Sequence, residues 1–114
     1  MKNNILKDKI DRELDSKTIL NHYLRPYHRY GELKKNQHIS NPFIATKQKT
    51  PSFCIYNDET GKWRYKDFAT DHAGDIYDLV IELYNTDLSG AIERIAEDFN
   101  LGSPEKVKSA INIS

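Results

Sequence analysis

The chain has 114 residues and a mass of 13.3 kDa; 38% of its residues are apolar, 30% are charged, and basic and acidic side chains are equal in number. This length suits one compact domain, and the composition is that of a folded protein rather than a disordered one. No apolar run reaches membrane-spanning length and the start of the chain has no signal-like apolar core, so we predict no membrane association and a cytoplasmic location. A single cysteine, Cys54, excludes an internal disulfide and a cysteine-rich metal site.

The zero net charge hides two segments of opposite sign. Residues 25–49 carry six basic side chains and one acidic one, a net +5, whereas residues 67–102 carry nine acidic side chains and one basic one, a net −8. Screening at physiological salt acts over roughly 8–10 Å, so such blocks act separately even in a small domain. The basic segment favours an anionic partner, and the acidic one favours a basic partner or serves solubility alone.

The first half of the chain predicts one short helix and a long loop. Residues 1–15 begin with a polar stretch and are expected to form a flexible amino-terminal segment. Asp15 or Ser16 can cap a helix through residues 18–24, where apolar side chains recur at helical spacing, and Pro26 ends it. In the basic stretch that follows, up to residue 49, apolar side chains recur at neither helical nor strand spacing. This stretch is predicted to be a loop with one short strand near residues 37–40.

Residues 52–57 and 62–67 predict a β-hairpin, because they flank a four-residue turn, 58–61, that ends in glycine. Alternation along the second strand places Trp63 and Tyr65 on an apolar, buried face. The opposite face is predicted to be basic and is formed by Lys62, Arg64 and Lys66. Three like charges on one face repel each other unless they are solvated or face an anion.

The last part of the chain predicts helices. Asp75 is a good N-cap for a helix through residue 84, and a second helix with an apolar stripe follows up to Gly102. Residues 103–114 are expected to form a short helix or a linker. Strands followed by helices indicate the α+β class, with a small antiparallel sheet and a central hairpin packed against flanking helices.

The sequence holds no Gly-rich phosphate loop and no arrangement typical of nucleophilic catalysis, so this chain alone is expected to be non-catalytic. His72 lies among Asp67, Asp71 and Asp75, which in principle offers a site for a hard cation. Acidic loops before a helix more often serve capping and solubility, so we expect no metal there.

The segment around the hairpin combines several short motifs: Asn41-Pro-Phe-Ile44, Lys49-Thr-Pro-Ser-Phe53, Tyr65-Lys-Asp-Phe68, Ala73-Gly-Asp75-Ile76 and Ser89-Gly-Ala-Ile-Glu-Arg-Ile-Ala96. In this order they resemble the N-terminal zinc-binding domain of bacterial and phage DNA primases. The resemblance covers residues 19–101 and implies a zinc-ribbon-like primase module over residues 16–102.

The zinc ligands of that family fall on Asn41, Ile44, Asp67 and Thr70 in this sequence. Isoleucine cannot ligate a metal and threonine is a poor zinc ligand. The resemblance therefore implies a degenerate domain without zinc, of a kind found in primase-like proteins of phages and mobile elements. Apolar side chains are expected to fill the space of the metal: Phe43, Ile44, Trp63, Tyr65 and Phe68.

In that family the domain helps engage the single-stranded template and cooperates with a separate catalytic domain that makes the RNA primer. The expected partners of this chain are therefore single-stranded DNA and a primase catalytic domain or a replicative helicase. The resemblance implies a single-stranded DNA-binding module of a primase-like replication protein. Phosphate contacts are expected from basic side chains before and within the hairpin: Lys47, Lys49, Lys62, Arg64 and Lys66. Tyr56, on the same side of the hairpin, is the expected stacking residue.

Two alternatives stay open at this point. The first is a protein-interaction module that binds a replicative helicase or a polymerase subunit through the acidic helices. The second is a primase whose active site is supplied by another chain.

Overall fold

The computed structural model describes residues 2–44 and 50–101, the first two of these by their backbone alone. Within these ranges the chain is an α+β domain, as predicted. Its elements in chain order are α1 (Lys2–Glu13), α2 (Ser16–Leu24), a 3₁₀ turn (Arg25–Tyr27), β1 (Phe53–Asn57), β2 (Trp63–Asp67), β3 (Ala73–Gly74), α3 (Ile76–Tyr84) and α4 (Leu88–Asp98). The predicted terminal element over 103–114 and the candidate residues Lys47 and Lys49 lie outside the described residues.

The amino-terminal segment differs from the prediction of a flexible region over residues 1–15, because α1 occupies most of it. Leu6 is 9% exposed and Ile10 is fully buried, and the helix packs on α4. The Tyr77 hydroxyl also donates a hydrogen bond to Asp11 Oδ1 over 2.7 Å. The sequence does place Leu6 and Ile10 four residues apart, as on one face of a helix. The helix that covers these side chains, α4, comes from the other end of the chain.

The second helix begins where the sequence predicted. The Asp15 carboxylate accepts a hydrogen bond from the backbone N–H of Thr18, which satisfies one free donor of the first turn of α2. Pro26 lies within the 3₁₀ turn after the helix. The predicted strand near residues 37–40 is reduced to a single bridge, in which Ile39 pairs antiparallel with Phe53.

The predicted hairpin is confirmed, and its register decides which side chains share a face. β1 pairs antiparallel with β2, with Cys54 opposite Lys66 and Tyr56 opposite Arg64. Gly61 closes the turn with a φ of 86°, a conformation that favours glycine. The short strand β3 pairs with the other edge of β2 and completes a sheet of order β1-β2-β3.

The junction between β3 and α3 explains the Gly-Asp pair in the sequence. Asp75 is confirmed as the N-cap of α3: its carboxylate accepts from the backbone N–H groups of Tyr77 and Asp78, and the Asp78 carboxylate accepts from the N–H of Asp75. A Cβ on Gly74 would lie 2.5 Å from the Asp78 side chain. Glycine therefore leaves the space that this reciprocal cap needs.

The helices cover only one face of the sheet. Phe53, Ile55 and Tyr65 point from that inner face into a core shared with buried side chains of all four helices. Trp63 is half-buried beside them, as predicted, and its backbone N–H donates to Ser16 Oγ. No helix in the described part of the chain is long and apolar enough to cross a membrane.

Candidate functional site

The side of the sheet that faces away from the helices carries aromatic and basic side chains. Because directly paired residues share a face, the register places Arg64 beside Tyr56 and Lys66 beside Cys54. His38 precedes the bridged Ile39 and joins the same side, where its ring lies 5.5 Å from that of Phe68. We call this surface the outer sheet face; it consists of His38, Tyr56, Arg64, Lys66 and Phe68.

Lys66 lies at the centre of the outer sheet face, between two rings. Its Nζ is 5.3 Å from the ring centroid of Tyr56 and 4.6 Å from that of Phe68. These distances fit cation–π interactions, which hold the ammonium group over the rings. The Phe68 side chain is 62% exposed, so most of its ring remains open to a ligand.

The other predicted phosphate contacts are spread more widely. Lys62 is exposed and lies one residue before β2. Burial alone would raise the pKa of Asp11, but hydrogen bonds from Tyr77 and Lys7 and the charges of Lys7 and Lys62 lower it. The charge of Lys62 therefore acts on a carboxylate of α1, a helix on the inner side of the sheet, and Lys62 is not part of the outer sheet face.

Cys54 lies under this surface and is fully buried. Burial raises the pKa of its thiol, which keeps the sulfur protonated and unreactive at neutral pH. The burial of Cys54 indicates a structural role for its side chain.

A buried polar cluster lies at the end of β2, on the other side of Phe68. Asp67 is 5% exposed, and its carboxylate accepts hydrogen bonds from the hydroxyl groups of Ser52 and Thr70, the latter over 2.7 Å. Asn41, 2% exposed, also donates to this carboxylate, and its Nδ2 lies 3.1 Å from His72 Nδ1. His72 Nδ1 is 3.0 Å from Thr70 Oγ1 as well.

Three of the four positions to which the primase resemblance assigns zinc ligands, Asn41, Asp67 and Thr70, meet in this cluster. The first ligand pair, Asn41 and Ile44, lies in a tight turn. Asn41 Oδ1 accepts a hydrogen bond from the backbone N–H of Phe43, and the backbone N–H of Ile44 donates to the Asn41 carbonyl. In the second ligand pair, Asp67 and Thr70, the Thr70 hydroxyl donates a hydrogen bond to the Asp67 carboxylate. Hydrogen bonds therefore join the two turns.

These residues do not fit a zinc ion. They offer one carboxylate, one amide and one hydroxyl, and the fourth position, Ile44, offers only hydrocarbon. The hydrogen bonds also occupy both oxygens of the Asp67 carboxylate. Across residues 2–44 and 50–101, no three His, Cys, Asp or Glu side chains come together as a metal site, and this includes the acidic residues around His72.

The expectation that apolar side chains would fill the space of the metal is wrong for three of the five residues. Trp63 lies at the turn end of β2, four residues before Asp67, where its backbone N–H donates to Ser16 Oγ. Ile44 is 36% exposed and Phe68 is 62% exposed, so neither is buried at this point. Phe43 does pack inward, with its ring centroid 5.8 Å from that of Tyr65 and 4.8 Å from that of His72. The polar cluster, with the Phe43 ring beside it, holds the two turns together.

Ser52, His38, Phe68 and His72 were not among the predicted site residues. Phe68 continues the alternation of Arg64 and Lys66 by two residues, so the sequence did carry a signal for it. Ser52 and His72 reach the cluster only through the pairing of the strands.

Asp67 makes the stability of the domain depend on pH. Burial alone would raise the pKa of Asp67, but hydrogen bonds from Ser52, Thr70 and Asn41 outweigh burial and lower the pKa below the ordinary value of 3.8. A lowered folded-state pKa stabilises the fold above the ordinary value, and this contribution falls away as the pH drops through the folded-state pKa. We expect the melting temperature of the Asp67→Asn variant to fall less than that of the wild type below about pH 4. Asp71→Asn, at an exposed position, is the control; equal acid sensitivity of wild type and Asp67→Asn would contradict the role of the carboxylate.

The fold and the site together define a small α+β domain with an aromatic and basic sheet face and a polar cluster that joins two tight turns. No protein-family model, curated protein or solved structure matches the chain.

Proposed function

We propose that the chain is a single-stranded DNA-binding module and that the outer sheet face is its binding surface. The observation that carries this proposal is Lys66, held between the rings of Tyr56 and Phe68. Single-stranded nucleic acid presents flat bases and phosphates in alternation, and proteins bind it with aromatic stacking surfaces beside basic side chains. Arg64 supplies a second cation next to Tyr56.

The distribution of charge supports the same surface. The exposed acidic side chains of the last two helices, such as Glu82, Glu93 and Glu97, lie on elements that cover the inner face of the sheet. The sheet therefore lies between these three carboxylates and Lys66. Arg64 is closer to acidic groups, since its charge acts on the carboxylates of Asp58 and Asp78. The surface that favours a polyanion is thus centred on Lys66.

The polar cluster supports a narrower proposal, in which the module is a primase-type zinc domain that no longer uses zinc. Asn41, Asp67 and Thr70 occupy three ligand positions of that family and contact one another directly or through His72. On this view the chain belongs to the template-engaging part of a replication protein of a phage or mobile element, which works in the cytoplasm. A primase catalytic domain or a replicative helicase would be its partner.

Phe68 offers the sharpest test of the binding surface. We expect Phe68→Ala to weaken binding to an oligothymidylate by about 1–3 kcal/mol, the usual contribution of one base stacked on one ring. Because the Phe68 side chain is 62% exposed, the melting temperature should change little. The measurement is fluorescence anisotropy of a labelled strand of about 15 nucleotides, long enough for a site of this type.

The matched control is Ile5→Ala, which removes an apolar side chain that is 68% exposed on α1. This variant should bind like the wild type, and Phe68→Tyr should keep most of the affinity because it keeps the ring. Equal affinity of Phe68→Ala and wild type would contradict the proposed surface. A wild type with no affinity for oligonucleotides that binds a replicative helicase would instead favour the acidic helices as an interaction surface.

A further inference from the structure

A cavity of about 690 Å³ lies beside the outer sheet face. It is open to solvent on one side, and its lining includes Tyr27, His28, Arg29, Tyr30, His38 and Pro42. Its volume is that of pockets that hold small organic ligands, and four of its lining residues carry aromatic rings. It shares His38 with the outer sheet face and Asn41 with the polar cluster, but most of its lining belongs to neither.

His28 brings an unsatisfied hydrogen-bond donor to this cavity. The backbone N–H of Tyr30 donates to His28 Nδ1 over 3.1 Å, so Nδ1 acts as an acceptor. In a neutral imidazole the proton then resides on Nε2, and burial lowers the pKa of His28, which favours that neutral form. Nε2 is buried and has no hydrogen-bond partner among the described residues. A buried donor without an acceptor is costly. Because His28 itself lines the cavity, a turn of its ring toward the cavity would let an acceptor of a bound ligand satisfy this donor.

The rings and the charge of the lining narrow the choice of ligand. The rings of His28 and Tyr30 are stacked, with centroids 5.8 Å apart and an interplanar angle of 26°. The side chains of Tyr27 and Tyr30 are 44% and 59% exposed, so both leave ring surface open. Arg29 adds a cation that is exposed on the same segment. A flat ring with hydrogen-bond acceptors and an attached anion matches this lining.

The cavity is continuous with the outer sheet face through one residue. His38 lines the cavity, and its ring is also packed 5.5 Å from that of Phe68. A strand that lies over Lys66 and Phe68 therefore reaches the mouth of the cavity by passing His38. The anionic group that accompanies the flat ring is then the phosphate of the same strand.

We propose that this cavity receives one unpaired base of the strand bound on the outer sheet face. The base stacks on the exposed ring of Tyr30 or Tyr27, and the His28 ring turns toward the cavity so that its Nε2–H donates to a carbonyl or ring nitrogen of the base. Arg29 contacts the neighbouring phosphate. This inference rests on the proposed function and adds to it a second base site, separate from the one at Phe68.

The test compares an intact oligothymidylate with strands of the same length that lack a single base at one position. We expect the wild type to lose about fivefold to a hundredfold in affinity when the missing base is the one that occupies the cavity. The Tyr30→Ala variant should lose a comparable factor for the intact strand and should no longer respond to that missing base. His28→Phe, which keeps a ring but removes the donor, should show a smaller loss in the same direction.

The matched controls are Tyr84→Ala, with a side chain 43% exposed on α3, and His22→Phe, at an exposed position of α2. Nitrogen NMR of the His28 ring gives a readout independent of affinity, since the Nε2 signal should shift when the oligothymidylate is added. If both cavity variants bind like the wild type while Phe68→Ala is weakened, this inference falls and the proposed function stands. If the wild type binds no oligonucleotide, both fall.

Discussion

Replacing Lys62, Arg64 and Lys66 together by alanine is expected to weaken single-stranded DNA binding and to flatten its dependence on salt. Each phosphate contact contributes about 0.7 to the slope of log affinity against log salt for a single strand, so three lost contacts remove roughly two units. Lys62 is not part of the outer sheet face, so it is expected to contribute the least of the three to the change in slope. The inner face of the hairpin, with Tyr65 3% exposed, is untouched, so the domain should stay folded.

The matched control removes the same charge from another surface. Lys7, Lys9 and Arg12 all lie on α1, where alanine is a good helix former, and their replacement changes the net charge by the same amount. This control should keep the wild-type slope apart from a small general effect of charge. A salt slope that is equal in the hairpin variant and the wild type would show that these three side chains do not contact phosphates. Replacing Glu93 and Glu97 on α4 should leave binding unchanged or raise it slightly.

Placing the zinc ligands of the primase family at the four positions that the resemblance assigns to them is expected to turn the polar cluster into a zinc site. The quadruple variant Asn41→Cys, Ile44→His, Asp67→Cys and Thr70→Cys should bind about one zinc ion per chain and melt when the metal is chelated. Structural zinc contributes about 10–16 kcal/mol in small domains, which matches or exceeds the whole stability of a typical domain. The wild type, by contrast, should contain no stoichiometric zinc and keep its melting temperature in a chelator.

The structural reason is the contact among the present side chains. Thr70 donates directly to Asp67, and Asn41 also donates to that carboxylate, so thiolates at these positions start close to one another. The control carries serine at the three cysteine positions together with Ile44→His. It should be destabilised by loss of the Asp67 hydrogen bonds and bind no zinc.

Cobalt absorption gives a direct readout of tetrahedral thiolate ligation in the quadruple variant. If that variant folds and binds neither zinc nor cobalt, the assignment of these four positions to a primase-type zinc site is wrong. Metal bound equally by the serine control would mean that the ion lies elsewhere in the chain.

The sequence alone predicted those elements whose signals lie within a few neighbouring residues. The hairpin follows from two alternating strands around a turn that ends in Gly61, and α3 follows from the Asp75 cap before a strong apolar stripe. The strand pattern also assigned Arg64, Lys66 and Tyr56 to one face, because side chains on a strand alternate without regard to the rest of the fold.

Whether a side chain is buried by elements distant in the sequence could not be predicted from such local patterns. The polar start of α1 suggested a flexible segment, yet the helix is held by contacts with α4 and Tyr77. Phe68 was expected to help fill the space of the family's metal, but it lies after the last paired residue of β2, where no element of the described part of the chain buries it.

For this protein the sequence by itself determined the α+β class, the hairpin and the basic side of the sheet, since these depend on periodicity and on caps within a few residues. Only the tertiary structure decided how the outer sheet face is arranged and what holds the two tight turns together. The reason is that both depend on pairing across the sheet. β1 and its bridge to Ile39 bring His38 to Phe68, and the pairing of β1 with β2 brings Ser52 to Asp67. These contacts join residues that are 15 or more positions apart in the chain, so no local pattern specifies them.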